Sequence, residues 1–104
     1  INTAGEKVYP EEVEEVLKTH KSVSDALVVG VPDEKWGQAV TAVVRLEESA
    51  EFDETEIKAH VRKHLAGYKT PKSVYRATIP LRASNGKADY AAVRDFAISQ
   101  GATT

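Results

Sequence analysis

Cysteine is absent from the 104 residues, which excludes a disulfide framework, a thiolate metal site and a thiol nucleophile, and fits a reducing, cytoplasmic setting. Charge of one sign is not in excess either. Lys and Arg number 14 against 16 Asp and Glu, a net charge of −2, so the cationic surplus that holds phosphate backbones is missing and nucleic acid is not expected as a main partner. Long apolar runs are missing too: Ala26 to Val29 and Tyr90 to Val93 are the longest and stop at four residues. A spanning helix needs roughly 20, so membrane insertion is not expected. The chain opens on Ile1 rather than Met, with no charged leader or apolar signal segment, and reads as a piece of something longer. What is present, 41% hydrophobic and 29% charged residues, suits one compact domain, and the length is too small for two.

Pro10 is suited to the first position of a helix, and Glu11, Glu12, Glu14 and Glu15 place negative charge at its positive end. Val13, Val16, Leu17 and His20 then recur at helical spacing, which predicts a helix over about 10–19. Ser24 to Val31 is apolar on both alternating sets and predicts a strand covered on two faces, ended by Pro32-Asp33. Gln38 to Leu46 predicts a second strand, with Arg45 on a more exposed side. Asp53 and Glu56 resemble a capping box, and Ile57, Val61, Leu65 and Tyr68 continue at helical spacing up to Gly67 and Pro71. Val74 to Ile79 alternates as a third strand ended by Pro80, and Asp89 precedes a last helix carrying Tyr90, Val93, Phe96 and Ala97. Gly101 to Thr104 reads as a frayed tail. The predicted architecture is α+β, a small three-stranded sheet covered by helices.

Two polar, glycine-bearing loops stand out, Asn2 to Tyr9 and Leu81 to Ala88. Lys87 follows Gly86 in a turn before a helix, where its ammonium can meet a phosphate or carboxylate, or simply be a solvated surface lysine. A Walker A loop is excluded, because Leu81 and Ala88 occupy the positions of its glycine and hydroxyl residue. Gly5 would let a narrow ligand pass close to the backbone, with Lys7 beside it; the alternative is an ordinary loop leading into the first helix. Tyr68, Lys69 and Lys72 set an aromatic ring among cations on a turn stiffened by Pro71, fit to stack a purine and neutralise phosphates, or to end a helix at its negative pole. His60 and His64 are spaced for one helix face, but no third ligand follows and a metal site is not expected. No serine sits in a nucleophile elbow. Trp36, the only tryptophan, either marks an interface or packs over a sheet edge.

In order, Gly5-Glu6-Lys7-Val8-Tyr9-Pro10, Val28-Val29-Gly30-Val31-Pro32-Asp33 with Trp36-Gly37-Gln38, Tyr68-Lys69-Thr70-Pro71-Lys72 and Asn85-Gly86-Lys87 resemble the small C-terminal domain of adenylate-forming enzymes. These are the acyl-CoA synthetases, luciferases and peptide-synthetase adenylation domains. The first and last motifs are most similar to the fatty-acid and steroid-side-chain CoA ligases of actinobacteria. The resemblance covers essentially the whole chain. It implies a mobile lid on a larger ATP-binding domain, joined at a hinge just before Ile1, and inactive alone. It implies two steps, formation of an acyl-adenylate from ATP (with Mg2+) and a carboxylic acid, then displacement of AMP by coenzyme A, with the lid turning between them.

By the same resemblance Lys87 serves adenylation, Gly5 lines the pantetheine passage with Lys7 near it, and Tyr68, Lys69 and Lys72 meet the nucleotide end of coenzyme A. Ala4 stands where Gly or Ser is more common, Thr70 where Arg occurs, and Asn85 where Ser or Thr is usual. Lys87 is also implied as a target of a regulatory lysine acetyltransferase. Two other readings remain open: an adenylation domain that loads a carrier protein, and a non-catalytic interaction module using Trp36 and the acidic first helix.

Overall fold

Pro10 has no N–H to leave unpaired, and Glu11 and Glu12 lie at the positive end of the dipole, so helix α1 begins there and runs Pro10–Lys18. In this computed structural model, which describes residues 1–102, the sequence from Asn2 to Tyr9 is not a plain loop. It forms a two-stranded hairpin, β1 (Asn2–Thr3) with β2 (Glu6–Lys7). After α1 come β3 (Val23–Asp33), β4 (Gly37–Leu46), α2 (Glu54–Arg62), a 3-10 turn (Gly67–Lys69), β5 (Ser73–Arg76) and α3 (Tyr90–Ala102). Among the described residues no helix is long and apolar enough to cross a membrane.

The main sheet has the order β3-β4-β5, with β3 antiparallel and β5 parallel to the central β4. A parallel neighbour needs a crossover, and α2 supplies it. Alternation divides the strands between two cores. Ala26, Val28, Val40, Ala42 and Val44 face α1 and α2, where Val13, Leu17, Ile57 and Val61 cover them. Leu27, Val29 and Val43 face the opposite way, under Leu81 and, from α3, Val93 and Ala97. Helices on both faces explain why β3 and β4 read as apolar on both alternating sets. The α+β, three-stranded architecture is as expected, and Arg45 is exposed.

Four boundaries differ from the sequence expectation. β3 continues through Pro32 to Asp33, pairing Pro32 with Gln38. It is an edge strand, where a missing N–H can face away from the ladder without loss. Asp53 caps α2 through the Glu56 N–H at 3.1 Å, as the capping pattern predicted, but the helix stops at Arg62. Ala66, at φ −57° and ψ 149°, has already left the helical region, so Leu65 lies beyond α2 and Tyr68 belongs to the separate 3-10 turn. Thr70 is extended at ψ 130°, as a residue before proline prefers, and the chain must turn here to enter β5. β5 itself ends at Arg76, although Tyr75, Ala77 and Ile79 still pack on the second core. Gly101 and Ala102 complete α3 rather than fraying, and Thr103 and Thr104 lie outside the described residues.

Candidate functional site

The Lys87 turn is built almost wholly from its own backbone. Gly86, at φ +86°, supplies the left-handed step; its N–H donates to the Ala83 carbonyl at 2.9 Å, and the Ala83 N–H donates to the Lys87 carbonyl at 2.9 Å. Asn85 Oδ1 accepts from the Lys87 N–H at 3.0 Å, so the amide that stands in for a hydroxyl residue does the same local work. A bridge between Arg82 and Ala88 and a bond from the Asp89 N–H to the Leu81 carbonyl at 3.0 Å close the base. Asp89 then caps α3 through the Ala92 N–H at 3.2 Å. Lys87 is exposed, and among the described residues its ammonium has no partner. A Cβ placed on Gly86 would meet nothing within 4 Å, so the turn projects from the surface.

Gly5 also stands on a projecting turn. Ala4 and Gly5 have φ values of 51° and 84°, the two left-handed residues of a tight hairpin connection, and a Cβ on Gly5 would likewise meet nothing within 4 Å. The hairpin is docked on the entry to β4. The Ala4 N–H donates to the Trp36 carbonyl at 2.7 Å, and the Asn2 N–H donates to Gln38 Oε1 at 2.8 Å. Lys7 is exposed on β2.

Trp36 joins this end to the Tyr68–Lys72 segment, a link that spacing alone did not reveal. Its ring carries two ammonium groups, Lys72 Nζ at 4.4 Å and Lys35 Nζ at 5.0 Å from the centroid. Lys72 arrives there because its N–H donates to the Val40 carbonyl at 2.7 Å as the chain enters β5. Tyr68 is exposed and is not a core-facing helix residue; Lys69 Nζ lies 5.8 Å from its ring. Lys69 is not available in the same way as Lys72, since it donates to Glu12 Oε1 at 2.6 Å and that bond raises its pKa. Thr70 is buried with its hydroxyl unpartnered, so it does not face a surface ligand.

Gly5, Lys7, Trp36, Tyr68, Lys69 and Lys72 therefore gather at the end of the sheet where β4 and β5 begin, while the Lys87 turn is rooted at the other end, on Asp25. At about 3.3 Å per residue, the stretch of β3 from Asp25 to Asp33 separates the two ends by roughly 25 Å. Between them Glu14 is buried and caps the open edge of β3, accepting from the Val28 N–H at 2.9 Å and from Tyr90 Oη at 2.8 Å. Burial, and then the Glu14 carboxylate, raise the Tyr90 phenol above its ordinary pKa, which keeps the proton in that bond. His60 and His64 lie on the α1–α2 side with His20, bonded to Thr19, Val16 and the His60 carbonyl. Among the described residues no group of three imidazole or carboxylate donors is arranged to hold a metal ion.

The family model described as AMP-binding enzyme C-terminal domain matches residues 12–87. A Mycolicibacterium smegmatis protein named medium/long-chain-fatty-acid–CoA/3-oxocholest-4-en-26-oate–CoA ligase is 50% identical over 95 residues, which are 91% of this chain and 17% of that protein. The 3-oxocholest-4-en-26-oate–CoA ligase of Rhodococcus rhodochrous is 48% identical over 95 residues, again 91% of this chain. A solved Mycobacterium tuberculosis fatty acyl CoA synthetase superposes with a TM-score of 0.87 at 36% identity, covering 96% of this chain and 20% of that one. The chain thus spans 17% of the length of these curated relatives.

Proposed function

The chain belongs to the AMP-binding enzyme C-terminal domain family, and from that membership we propose that it is the lid of a longer, cytoplasmic, AMP-forming acid–CoA ligase. The observation that carries this reading is the pair of projecting turns at opposite ends of one sheet. A projecting turn has no cavity of its own, so each needs a concave partner, and a large ATP-binding domain hinged to the chain would provide it. Two turns rooted at opposite ends of the sheet present different faces to such a partner. A lid that rotates between two steps uses them in turn.

In the first step an oxygen of the substrate carboxylate attacks the α-phosphorus of ATP, the bond to the β-phosphate oxygen breaks, and pyrophosphate leaves. Two anions must approach while charge builds on the phosphoryl oxygens, and the Lys87 ammonium supplies the opposing charge. The divalent ion that accompanies ATP belongs to the large domain in this reading, since the described residues do not gather a ligand set for it. In the second step the coenzyme A thiol attacks the acyl carbon, the acyl–phosphate bond breaks, and AMP leaves. Gly5 keeps the passage for the pantetheine arm narrow but open, with Lys7 at its side. Tyr68 offers a face for the adenine, and Lys72, beside Lys35 on Trp36, offers charge to its phosphates, while Lys69 could join only by leaving Glu12.

The acid is a fatty or steroid-side-chain carboxylic acid, in line with the names of the relatives at 50% and 48% identity. Acetylation of Lys87 by a lysine acetyltransferase would remove the charge the first step needs. The test is product analysis of the full-length enzyme with ATP, a medium-chain fatty acid and coenzyme A. Acyl-CoA, AMP and pyrophosphate in equal amounts are expected. Adenylate that passes only to a carrier protein, or no pyrophosphate release at all, would overturn the reading.

A further inference from the structure

The register of β3 against β4 slips between Val23 and Asp25: Val23 faces Leu46 and Asp25 faces Arg45, so Ser24 is the extra residue of a bulge. Without it Val23 and Asp25 would share a face, being two residues apart. With it Val23 joins the core under α1 and α2, while Asp25 keeps the parity of Leu27 and Val29 and is turned toward the α3 side. There it is almost fully buried, at 6% exposure, and bound by a single partner from far along the chain. Arg82 Nε donates to its Oδ2 at 2.9 Å and Arg82 Nη2 to its Oδ1 at 3.1 Å; the Ala26 N–H also donates to Oδ1 at 2.9 Å. The third arm of the same guanidinium, Nη1, reaches the carbonyl of Gly86, the residue before Lys87, at 3.4 Å. Burial alone would raise the Asp25 carboxyl, but the Arg82 fork, the Ala26 N–H and the nearby Arg45 outweigh it and hold it below its ordinary value.

All other bonds of the Lys87 turn are local, and a lysine side chain is flexible, so the turn alone fixes the direction of the ammonium poorly. A planar bidentate fork fixes both distance and angle. We propose that the Asp25–Arg82 pair is a positioning strut that ties the Lys87 turn to the bulged end of β3 and so sets where the lysine ammonium enters the adenylation site. This rests on the reading of Lys87 as the adenylation lysine. Asp25 and Arg82 touch no reactant; they act through Lys87.

The test uses the full-length enzyme with Arg82→Lys, which keeps the charge and loses the fork, Asp25→Asn, which keeps the shape and loses the charge, Lys87→Ala, and the double variant Arg82→Lys/Lys87→Ala. Pyrophosphate release and transfer from a supplied acyl-adenylate to coenzyme A are measured separately. Arg82→Lys is expected to lower kcat for pyrophosphate release by roughly 10- to 100-fold, the effect of a misplaced group, and to leave the transfer rate and the KM for ATP unchanged. The double variant is expected to be no slower than Lys87→Ala alone, because a strut has nothing left to position. A purely structural role would lower both half-reactions together or make the two losses multiply, and either result overturns the strut. A selective Lys87→Ala beside a silent Arg82→Lys and Asp25→Asn removes the strut alone. If Lys87→Ala spares pyrophosphate release, the reading of Lys87 falls first and the strut with it.

Discussion

Gly5 and Lys87 carry the account at the scale of single residues. Gly5 holds φ +84° with open space where a Cβ would stand. Gly5→Leu would therefore meet no clash within the domain and pay only the left-handed strain of a side chain there, on the order of 1 kcal/mol. Its larger effect is expected where the turn enters a partner: transfer from a supplied acyl-adenylate to coenzyme A should fall by roughly 10-fold or more as the passage is obstructed, with pyrophosphate release retained. Stopped-flow or quenched assays of the two half-reactions in the full-length variant measure this, and an unchanged transfer rate would remove Gly5 from the passage. Both turns were legible because left-handed turn chemistry is local: Gly5 and Gly86 announce themselves beside their lysines. Asp25 and Arg82 were not, and Trp36 stood out without its link to Lys72. Asp25 and Arg82 are 57 residues apart in sequence, and nothing local marks them as partners. Thr70 stands where the resemblance allows arginine, and the structure buries it just before Pro71 and the entry to β5.

At the scale of elements, α1 and α2 meet along a seam of three imidazoles. His20 Nδ1 accepts from the Ser22 N–H at 3.1 Å, so its Nε2–H is left to donate to Glu56 at 2.9 Å. Thr19 gives its proton to the Val16 carbonyl at 2.6 Å, so His60 Nε2–H is the donor to Thr19 at 2.7 Å. The rings of His20 and His64 lie 5.1 Å and 4.9 Å from that of His60. Burial first, then electrostatic repulsion from the neighbouring His20, and further out from His64 and Lys63, push the His60 pKa below its ordinary value of 6.5, with only the Val16 carbonyl opposing. The unfolded chain therefore takes up this proton before the folded one does. Stability from His60 is fully present above 6.5 and is lost as the pH falls from there toward its folded value. Thermal melts of the wild type and His60→Gln across that range are expected to give a shallower acid loss for the variant; equal slopes would contradict it. The elements themselves followed from periodicity where periodicity persists. Ile57 and Val61 fixed α2, but Leu65 continued the spacing after the backbone had already left the helix to reach Pro71. Tertiary demand overrode the pattern there, as it did at Pro32, whose place on a sheet edge cannot be read from the sequence.

At the scale of the whole molecule, one three-stranded sheet carries the Gly5 turn and the Lys87 turn at its two ends, which the proposed function assigns to thioester formation and to adenylation. Helices pack on both faces of that sheet. The separation of the ends follows from strand length, of which the sequence showed the stretches Ser24 to Val31 and Gln38 to Leu46 but not the continuation of β3 through Pro32 to Asp33. Which loop sits at which end follows from the antiparallel and parallel pairings, which no single strand announces. The most direct test of this two-ended lid is the pair of half-reactions in the full-length enzyme, wild type against Lys87→Ala. Loss of one transition-state charge contact predicts pyrophosphate release slower by roughly 10²- to 10³-fold, with transfer from supplied acyl-adenylate to coenzyme A at the wild-type rate. Equal losses in both half-reactions, or none in either, would contradict it.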